Sequence, residues 1–487
     1  MKYLKDILYK VSITAVYGDI NTVVSHVSFD SRDLRKDAVF VAQKGLSVDG
    51  HDYIEKAISL GVSSIICEEL PAKISENITY VQVQDSNEAL AIVASNFYDN
   101  PSSKLQLVGV TGTNGKTTVA SLLYELFKRA GYKTGLISTV KILVDSEEFE
   151  TTHTTPDSVK INHYLDQMVA QGVDYCFMEV SSHGIHQKRT EGLEFCGGIF
   201  TNLSHDHLDY HHSFAAYRDV KKSFFDSLPK SSFALTNLDD KNGNMMLQNT
   251  KAKKRTYALK TLADHKARIL EKSFSGTLLA INGNEVWTQL IGSFNAYNLL
   301  AIIGTAKELG LDEIKTLTII SQLESVNGRF ESVVSENGVI AIVDYAHTPD
   351  ALKNVLETIN DIRTDNKKLT TVIGCGGNRD KSKRPKMAHI ASQLSTQAIF
   401  TSDNPRTENP QTILEEMESG VSAQNLDKIL IITDRRQAIK TACKFSNAGD
   451  VLLIAGKGHE NYQETDGKRI HFDDLEEVKN CFNLLKK

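Results

Sequence analysis

The stretch Leu107 to Thr118, Leu-Val-Gly-Val-Thr-Gly-Thr-Asn-Gly-Lys-Thr-Thr, constrains this chain more than any other. An apolar run that reads as a buried strand ends in a glycine-rich turn. Val119, Leu122, Leu123, Leu126, Phe127 and Ala130 then recur at helical spacing up to Gly131. Strand, loop and helix in that order make a cradle for phosphates. Gly112 and Gly115 let the backbone approach a polyphosphate, N–H groups at the helix start point at its oxygens, and Lys116 adds a mobile positive charge. Thr117 is placed to offer its hydroxyl to a nucleotide-bound magnesium, so Gly112, Thr113, Asn114, Gly115, Lys116, Thr117 and Thr118 are candidate ATP contacts. The pattern departs from G-x-x-x-x-G-K-[ST] only at Val110, where a glycine is expected.

A chain of 487 residues, 41% of them hydrophobic, is too long for one core, and three α/β domains are expected, at 1–100, 101–330 and 331–487. Strand runs alternate with helical stretches, which implies a central phosphate-loop domain with a parallel sheet. The runs Val339–Val343, Leu369–Ile373, Ala398–Thr401 and Val451–Ala455 form a third, Rossmann-like α/β set. Asn100-Pro101-Ser102-Ser103 reads as a linker. A net charge of −6 gives no basic field for nucleic acid, and no apolar run approaches the roughly 20 residues that span a membrane. Neither partner is expected. The start Met-Lys-Tyr-Leu-Lys-Asp-Ile-Leu carries no secretory pattern, and six scattered cysteines without metal-ligand spacing suit a reducing cytoplasm.

In open α/β sheets, chemistry gathers beyond the carboxyl ends of strands. Two such ends carry Glu179-Val180-Ser181-Ser182-His183-Gly184 and Asn202-Leu203-Ser204-His205-Asp206-His207-Leu208-Asp209-Tyr210-His211. Acids and imidazoles there suggest a further metal. His205-x-His207-x-Asp209 can also be read as a metallohydrolase ligand run, but Tyr210 displaces the expected adjacent histidine, and an ATP loop has no role in such a hydrolase.

Together with Asp344-Tyr345-Ala346-His347-Thr348-Pro349-Asp350, these motifs resemble the Mur ligase family in order and spacing over essentially the whole chain. The resemblance implies ATP-dependent amide-bond formation on the peptide of a cell-wall precursor, with two magnesium ions. One would sit at Thr117 and the other near Glu179 and His207. It also implies a carbamylated lysine at Lys221, from the Tyr217, Lys221, Phe224, Phe225 pattern, although Lys222 is adjacent. Asn295 and Asn298 fall in the family's adenine-contacting turn, Arg329 at a domain junction from which it could reach the ATP phosphates, and Asp344 and His347 in the same cleft. Asp350 suits a helix cap. Lys116, Lys221, His207 and Arg329 are thereby the expected catalytic residues. Ser31, with Asp30, Arg32, Gly45, Asp49, Gly50 and His51, matches a UDP-binding N-terminal domain, and Thr154, Thr155, Ser181 and Arg189 match the positions holding a UDP-N-acetylmuramoyl dipeptide.

The turns of the third domain mix cation, anion and amide, as a zwitterionic amino acid requires. A lysine substrate ends in an ammonium alone, whereas diaminopimelate ends in an ammonium and a carboxylate and suits an arginine fork beside acceptors. Arg406 offers the fork. The resemblance implies that Asp403, Asn404 and Arg406, a D-N-P-R motif, read the distal end of meso-diaminopimelate, that Arg379 holds a carboxylate, and that Gly456 and Glu460 fix the distal groups. A bland alternative pairs Arg406 with Glu408. Asn409 stands where an aspartate is expected. The implied reaction joins diaminopimelate to UDP-N-acetylmuramoyl-L-alanyl-D-glutamate through an acyl phosphate, in a monomer. The rivals are a lysine-adding ligase of the same family, a folylpolyglutamate synthetase and an ATP-switched binding protein.

Overall fold

The structure is a computed structural model describing residues 2–45, 48–151, 153–364 and 366–487. Among the described residues its architecture is α/β, with three large sheets in succession along the chain. The first orders its strands Ile13–Tyr17, Thr79–Val83, Ser64–Cys67, Ala38–Val41 and His26–Ser28, parallel except for the edge strand Ile13–Tyr17.

The central sheet contains a parallel run in the order Thr134–Ile137, Tyr175–Glu179, Gln106–Thr111, Gly197–Phe200, Phe233–Asn237, Lys253–Ala258 and His265–Ser273. Strands buried on both faces need apolar side chains on both, which is why they read as continuous runs rather than alternations. From Gln106–Thr111 the chain first winds one way, to Thr134–Ile137 and Tyr175–Glu179, and then crosses to Gly197–Phe200 on the other side. This reversal opens a crevice at the end of the phosphate-loop strand. The third sheet runs Ile340–Asp344, Val451–Ala455, Leu369–Ile373, Gln397–Phe400 and Ile429–Ile431 in parallel, with Glu331–Val334 antiparallel on its edge.

Two expectations are corrected. Asn100-Pro101-Ser102-Ser103 is no slack linker: Asn100 is left-handed (φ +51), Pro101 opens a 3-10 turn, and buried Ser102 accepts the Glu194 N–H at 3.0 Å. Nor is the central sheet wholly parallel. Ile142–Val144 and Glu147–Phe149 extend one edge antiparallel, and Gly276–Ile281 and Asn284–Thr288 the other. No helix among the described residues is long and apolar enough to cross a membrane.

Candidate active site

Helix Lys116–Arg129 starts directly on Gly115, whose φ is +89. A Cβ there would stand 2.6 Å from Asn298 Oδ1, and one at Gly112 (φ +151) would stand 1.9 Å from Thr201 Oγ1, so both positions demand glycine for conformation and for space. Asn202 clasps the loop. Its carbonyl accepts the Thr113 N–H at 2.8 Å, its Oδ1 accepts the Asn114 N–H at 3.0 Å, and its Nδ2 donates to the Asn114 carbonyl at 3.0 Å. Lys116 Nζ curls over the loop onto the carbonyls of Gly112 (3.0 Å) and Thr113 (2.8 Å), while the N–H groups of Thr117 and Thr118 lie in the helix's first turn. Helix Ser293–Glu308 brings Asn298 alongside, its Nδ2 donating to Asn295 Oδ1 at 3.1 Å.

Segments flanking the third sheet's strands meet the loop and its helix at two points. Arg329 Nη2 donates to Thr117 Oγ1 at 3.1 Å, its guanidinium lying 4.5 Å from the centre of the Tyr345 ring. Asn114 Nδ2 donates to Asp350 Oδ2 at 3.1 Å. Asp350 is therefore a cross-cleft contact rather than the helix cap, a role taken by Thr348, whose side chain accepts the Ala351 N–H. Asp344 is buried and accepts the Phe330 N–H at 2.7 Å, and burial pushes its carboxyl up to about 6. His347 is pushed down to about 4 by burial and Lys383.

Lys221 is buried in helix Phe214–Ser227, and its Nζ donates to the Gly112 carbonyl at 2.9 Å, the same oxygen that Lys116 engages. Burial first and Lys116 second hold its amine well below the usual lysine range, against the pull of Asp206. Lys222 faces away into an ion pair with Asp226 at 2.6 Å, so the two adjacent lysines have separate environments. Glu179 is fully buried at its strand end. Its oxygens accept the Thr139 N–H at 2.7 Å and the Thr139 hydroxyl at 3.1 Å, and that hydroxyl lies 3.1 Å from Thr154 Oγ1. Thr155 Oγ1 donates to the Glu179 carbonyl at 2.8 Å and accepts the Ser181 N–H at 2.9 Å, and Arg189 Nη1 donates to the Thr155 carbonyl at 2.6 Å. Thr154, Thr155, Ser181, Arg189 and Glu179 thus form one connected group.

His207 is left-handed (φ +52), with its Nε2 3.4 Å from Asp206 Oδ2 and its ring 4.8 Å from His183. Burial opposes ionisation of Asp206, yet His207, His347, Lys116 and Lys383 together hold its carboxyl below the usual range. The Asp209 side chain of the metallohydrolase reading lies outside the described ones. Among the described residues no three His, Cys, Asp or Glu side chains converge as a metal cage. Of the expected magnesium ligands, Thr117 supplies a hydroxyl, Glu179 a carboxylate and His207 an imidazole, whereas Lys221 would supply an oxygen only as its carbamate.

At the third sheet's strand ends, Asn404 Nδ2 donates to Glu460 Oε2 at 2.7 Å, and a Cβ at Gly456 (φ +114) would stand 2.9 Å from Asp403 Oδ2. Arg406 is left-handed (φ +53), and its Nη1 donates to the Gly377 carbonyl at 2.8 Å. It does not pair with Glu408, which is taken by Arg384 at 3.0 Å. Asn409 caps helix Pro410–Glu418. The hairpin Tyr462–Thr465/Lys468–His471 hangs from this turn: Arg406 N–H donates to the Glu464 carbonyl at 3.0 Å, Asp466 N–H to the Arg406 carbonyl at 2.7 Å, and Gln463 Nε2 to the Asp403 carbonyl at 2.8 Å. Arg379 is exposed at the rim of this turn, its Cγ 3.8 Å from a Cβ built on Gly376. Ser31 stands elsewhere, on the turn after strand His26–Ser28, with Lys56 Nζ at 3.4 Å.

Three family models match in succession: "Mur ligase family, catalytic domain" over residues 23–98, "Mur ligase middle domain" over 110–306, and "Mur ligase, glutamate ligase domain" over 328–458. A protein of Cytophaga hutchinsonii named UDP-N-acetylmuramoyl-L-alanyl-D-glutamate--2,6-diaminopimelate ligase is 52% identical over 99% of this chain and 100% of its own length. The chain belongs to the Mur ligase family. A ligase of the same name from Phocaeicola vulgatus is 52% identical over 98% of this chain and 99% of its own. A solved structure, also of a diaminopimelate ligase of that name, is 30% identical and covers 100% of this chain and 99% of its own, with a TM-score of 0.69.

In this Mur ligase, sequence reasoning passed over the loop clasp of Asn202, the cross-cleft Asp350, the Tyr345 ring under Arg329, and Lys457 beside Glu460. Asn202, Tyr345 and Asp350 all lie inside motifs already singled out, yet those motifs do not say which partner each side chain meets. Lys457 acts through contacts that no spacing announces.

Proposed function

We propose that this ATP-dependent, ADP-forming ligase adds meso-diaminopimelate to UDP-N-acetylmuramoyl-L-alanyl-D-glutamate, a step of cell-wall precursor synthesis in the cytoplasm. The observation that carries the reading is the turn Asp403-Asn404-Pro405-Arg406 facing Glu460, an arginine fork beside acid and amide acceptors. Full-length relatives bearing this activity's name at 52% identity support it.

In this reading residues 1–100 bind the UDP moiety through Ser31, residues 101–330 bind ATP and the dipeptide, and residues 331–487 bind the amino acid. One chain supplies every group, so a monomer suffices. Thr117, Glu179, His207 and Lys221, the last as its carbamate, would hold two magnesium ions, which when bound neutralise phosphate charge. The D-glutamyl side-chain carboxylate attacks the ATP γ-phosphorus, ADP leaves, and an acyl phosphate remains. The amine then attacks the acyl carbon, phosphate departs, and the nitrogen loses its proton. Lys116 and Arg329 offset the phosphoryl charge, Asn295, Asn298, Asp344 and His347 seat the nucleotide, and Thr154, Thr155, Ser181 and Arg189 orient the dipeptide. The contacts of Arg329 with Thr117 and of Asp350 with Asn114 close the cleft and keep water from the activated acyl group.

The test is phosphate release with ATP, magnesium and the UDP-dipeptide, comparing diaminopimelate with lysine. Turnover with diaminopimelate alone is expected. Truncating one partner of a buried charge pair costs at least about 2 kcal/mol, so Arg406→Ala is expected to lower kcat/KM for diaminopimelate roughly 30-fold or more. Equal use of lysine overturns the substrate, and pyrophosphate as product overturns the mechanism.

A further inference from the structure

Lys457, in the turn after strand Val451–Ala455, has a fully buried side chain. Its Nζ lies 3.1 Å from Asn404 Oδ1 and 3.3 Å from Glu460 Oε2, with the Tyr462 ring centre at 5.4 Å. Asn404 Oδ1 also accepts the Glu464 N–H at 2.9 Å. Two donors on that oxygen fix which way the amide faces, because a flipped amide would set its NH2 against both. Asn404 Nδ2 is thereby committed to Glu460 Oε2 at 2.7 Å. Glu460 Oε2 then has two donors, whereas among the described residues Oε1 has only the Tyr345 hydroxyl, at 3.5 Å.

We propose that Lys457 is a positioning residue of the amino-acid site, locking the Asn404 amide and turning Glu460 so that its Oε1 receives the distal ammonium of the incoming amine while Arg406 receives the carboxylate. The inference rests on the ligase reading above. Lys457 acts through Asn404 and Glu460 without touching substrate. With Arg435, it is one of the cations that let two buried acids, Asp403 and Glu460, stand together. The charged and titratable groups facing Glu460 are Asp403, Lys457, Arg435, Tyr345 and Tyr462. Burial and Asp403 raise the Glu460 carboxyl, and Lys457 opposes them. Without Lys457, Glu460 takes up a proton at higher pH and no longer offers an anion to the substrate ammonium.

The experiment measures KM for diaminopimelate, ATP and the UDP-dipeptide from pH 6 to 9 in wild type, Lys457→Met and Lys457→Gln, with melting curves as a folding control. Glutamine can still donate to Asn404 Oδ1 but brings no charge. Expected is a rise of ten-fold or more in the diaminopimelate KM at pH 7 for Lys457→Met and a smaller rise for Lys457→Gln. Both should recover as pH increases, with the other two KM values within two-fold of wild type. Folded variants with a wild-type diaminopimelate KM and pH profile overturn the inference. So does an equal rise in all three KM values, or insolubility of both variants, either of which assigns Lys457 to the fold. A wild-type enzyme that ignores diaminopimelate is a different result, since it overturns the ligase reading itself.

Discussion

Asp344 is the place where stability and activity should be seen to part. The residue ends strand Ile340–Asp344 beneath Arg329, and burial pushes its carboxyl from 3.8 up to about 6, although Arg329 and the N–H groups of Phe330 and Ala346 favour the anion. In the unfolded chain the group ionises near 3.8. The folded protein therefore binds the extra proton between about pH 4 and 6, and stability falls across that window and stays lowered above it. Roughly two pKa units at 1.36 kcal/mol each correspond to about 3 kcal/mol. Asp344→Asn removes the ionisation and keeps an oxygen for the Phe330 N–H, but its NH2 loses the favourable approach of Ala346, so this figure is an upper one. For a folding unit of roughly 150 residues it amounts to as much as ~6–12 °C in Tm. Thermal melts of variant and wild type should coincide near pH 4 and diverge by pH 8, with the variant melting higher. The same variant should lose at least about ten-fold in turnover, since in the proposed reading the group that strains the fold helps seat the nucleotide. A melting difference that stays constant from pH 4 to 8 would refute the reasoning.

Two further outcomes are expected. At pH 7.5 an ordinary lysine is neutral in only about one molecule in a thousand, whereas burial and Lys116 hold the Lys221 amine well below its usual range and so free it to capture carbon dioxide. Activity in carbon-dioxide-depleted buffer should fall and return with bicarbonate, intact mass should show one carbon dioxide added, and Lys221→Arg should respond to neither. Insensitivity of the wild type to bicarbonate counts against the carbamate. Arg435 and Asp474 form a fully buried pair at 2.6 Å, so Arg435→Met should destabilise by about 3–5 kcal/mol by leaving Asp474 alone, and Arg435→Met/Asp474→Leu should recover most of the loss in urea melts.

The phosphate loop was legible because everything that makes it is local: two glycines with no room for a Cβ, a lysine, and a helical repeat starting at once. The letters of the D-N-P-R turn stood out in the sequence, but the hairpin that frames them, 60 residues on, did not. Lys221 was only half legible. A lysine pair on a helix looks the same whichever member turns inward, and only packing separates the Gly112 carbonyl from Asp226. The contact of Asn114 with Asp350 spans 236 residues, and a buried Lys457 is written with the same letter as a solvated one. The Pro101–Ser102 segment misled because a packed turn and a loose linker share one composition. The antiparallel strands of the central sheet's far edge left little trace, since Thr277, Leu279 and Ile281 are buried in alternation but Leu278 and Ala280 between them are apolar too.

The hairpin suspended from Arg406 has a consequence for anyone who would retune this enzyme. The proposed reader of the amino acid is built from two segments lying 60 residues apart, with Gln463 and Glu464 holding from behind what Asp403, Asn404 and Arg406 present in front. A graft carrying only the four-letter turn would import an arginine without the frame that keeps it left-handed. Residues 456–471, which include both strands of the hairpin, must travel with it as a single cassette, and in the proposed reading the natural unit of exchange between amino-acid preferences is that pair of segments rather than any motif.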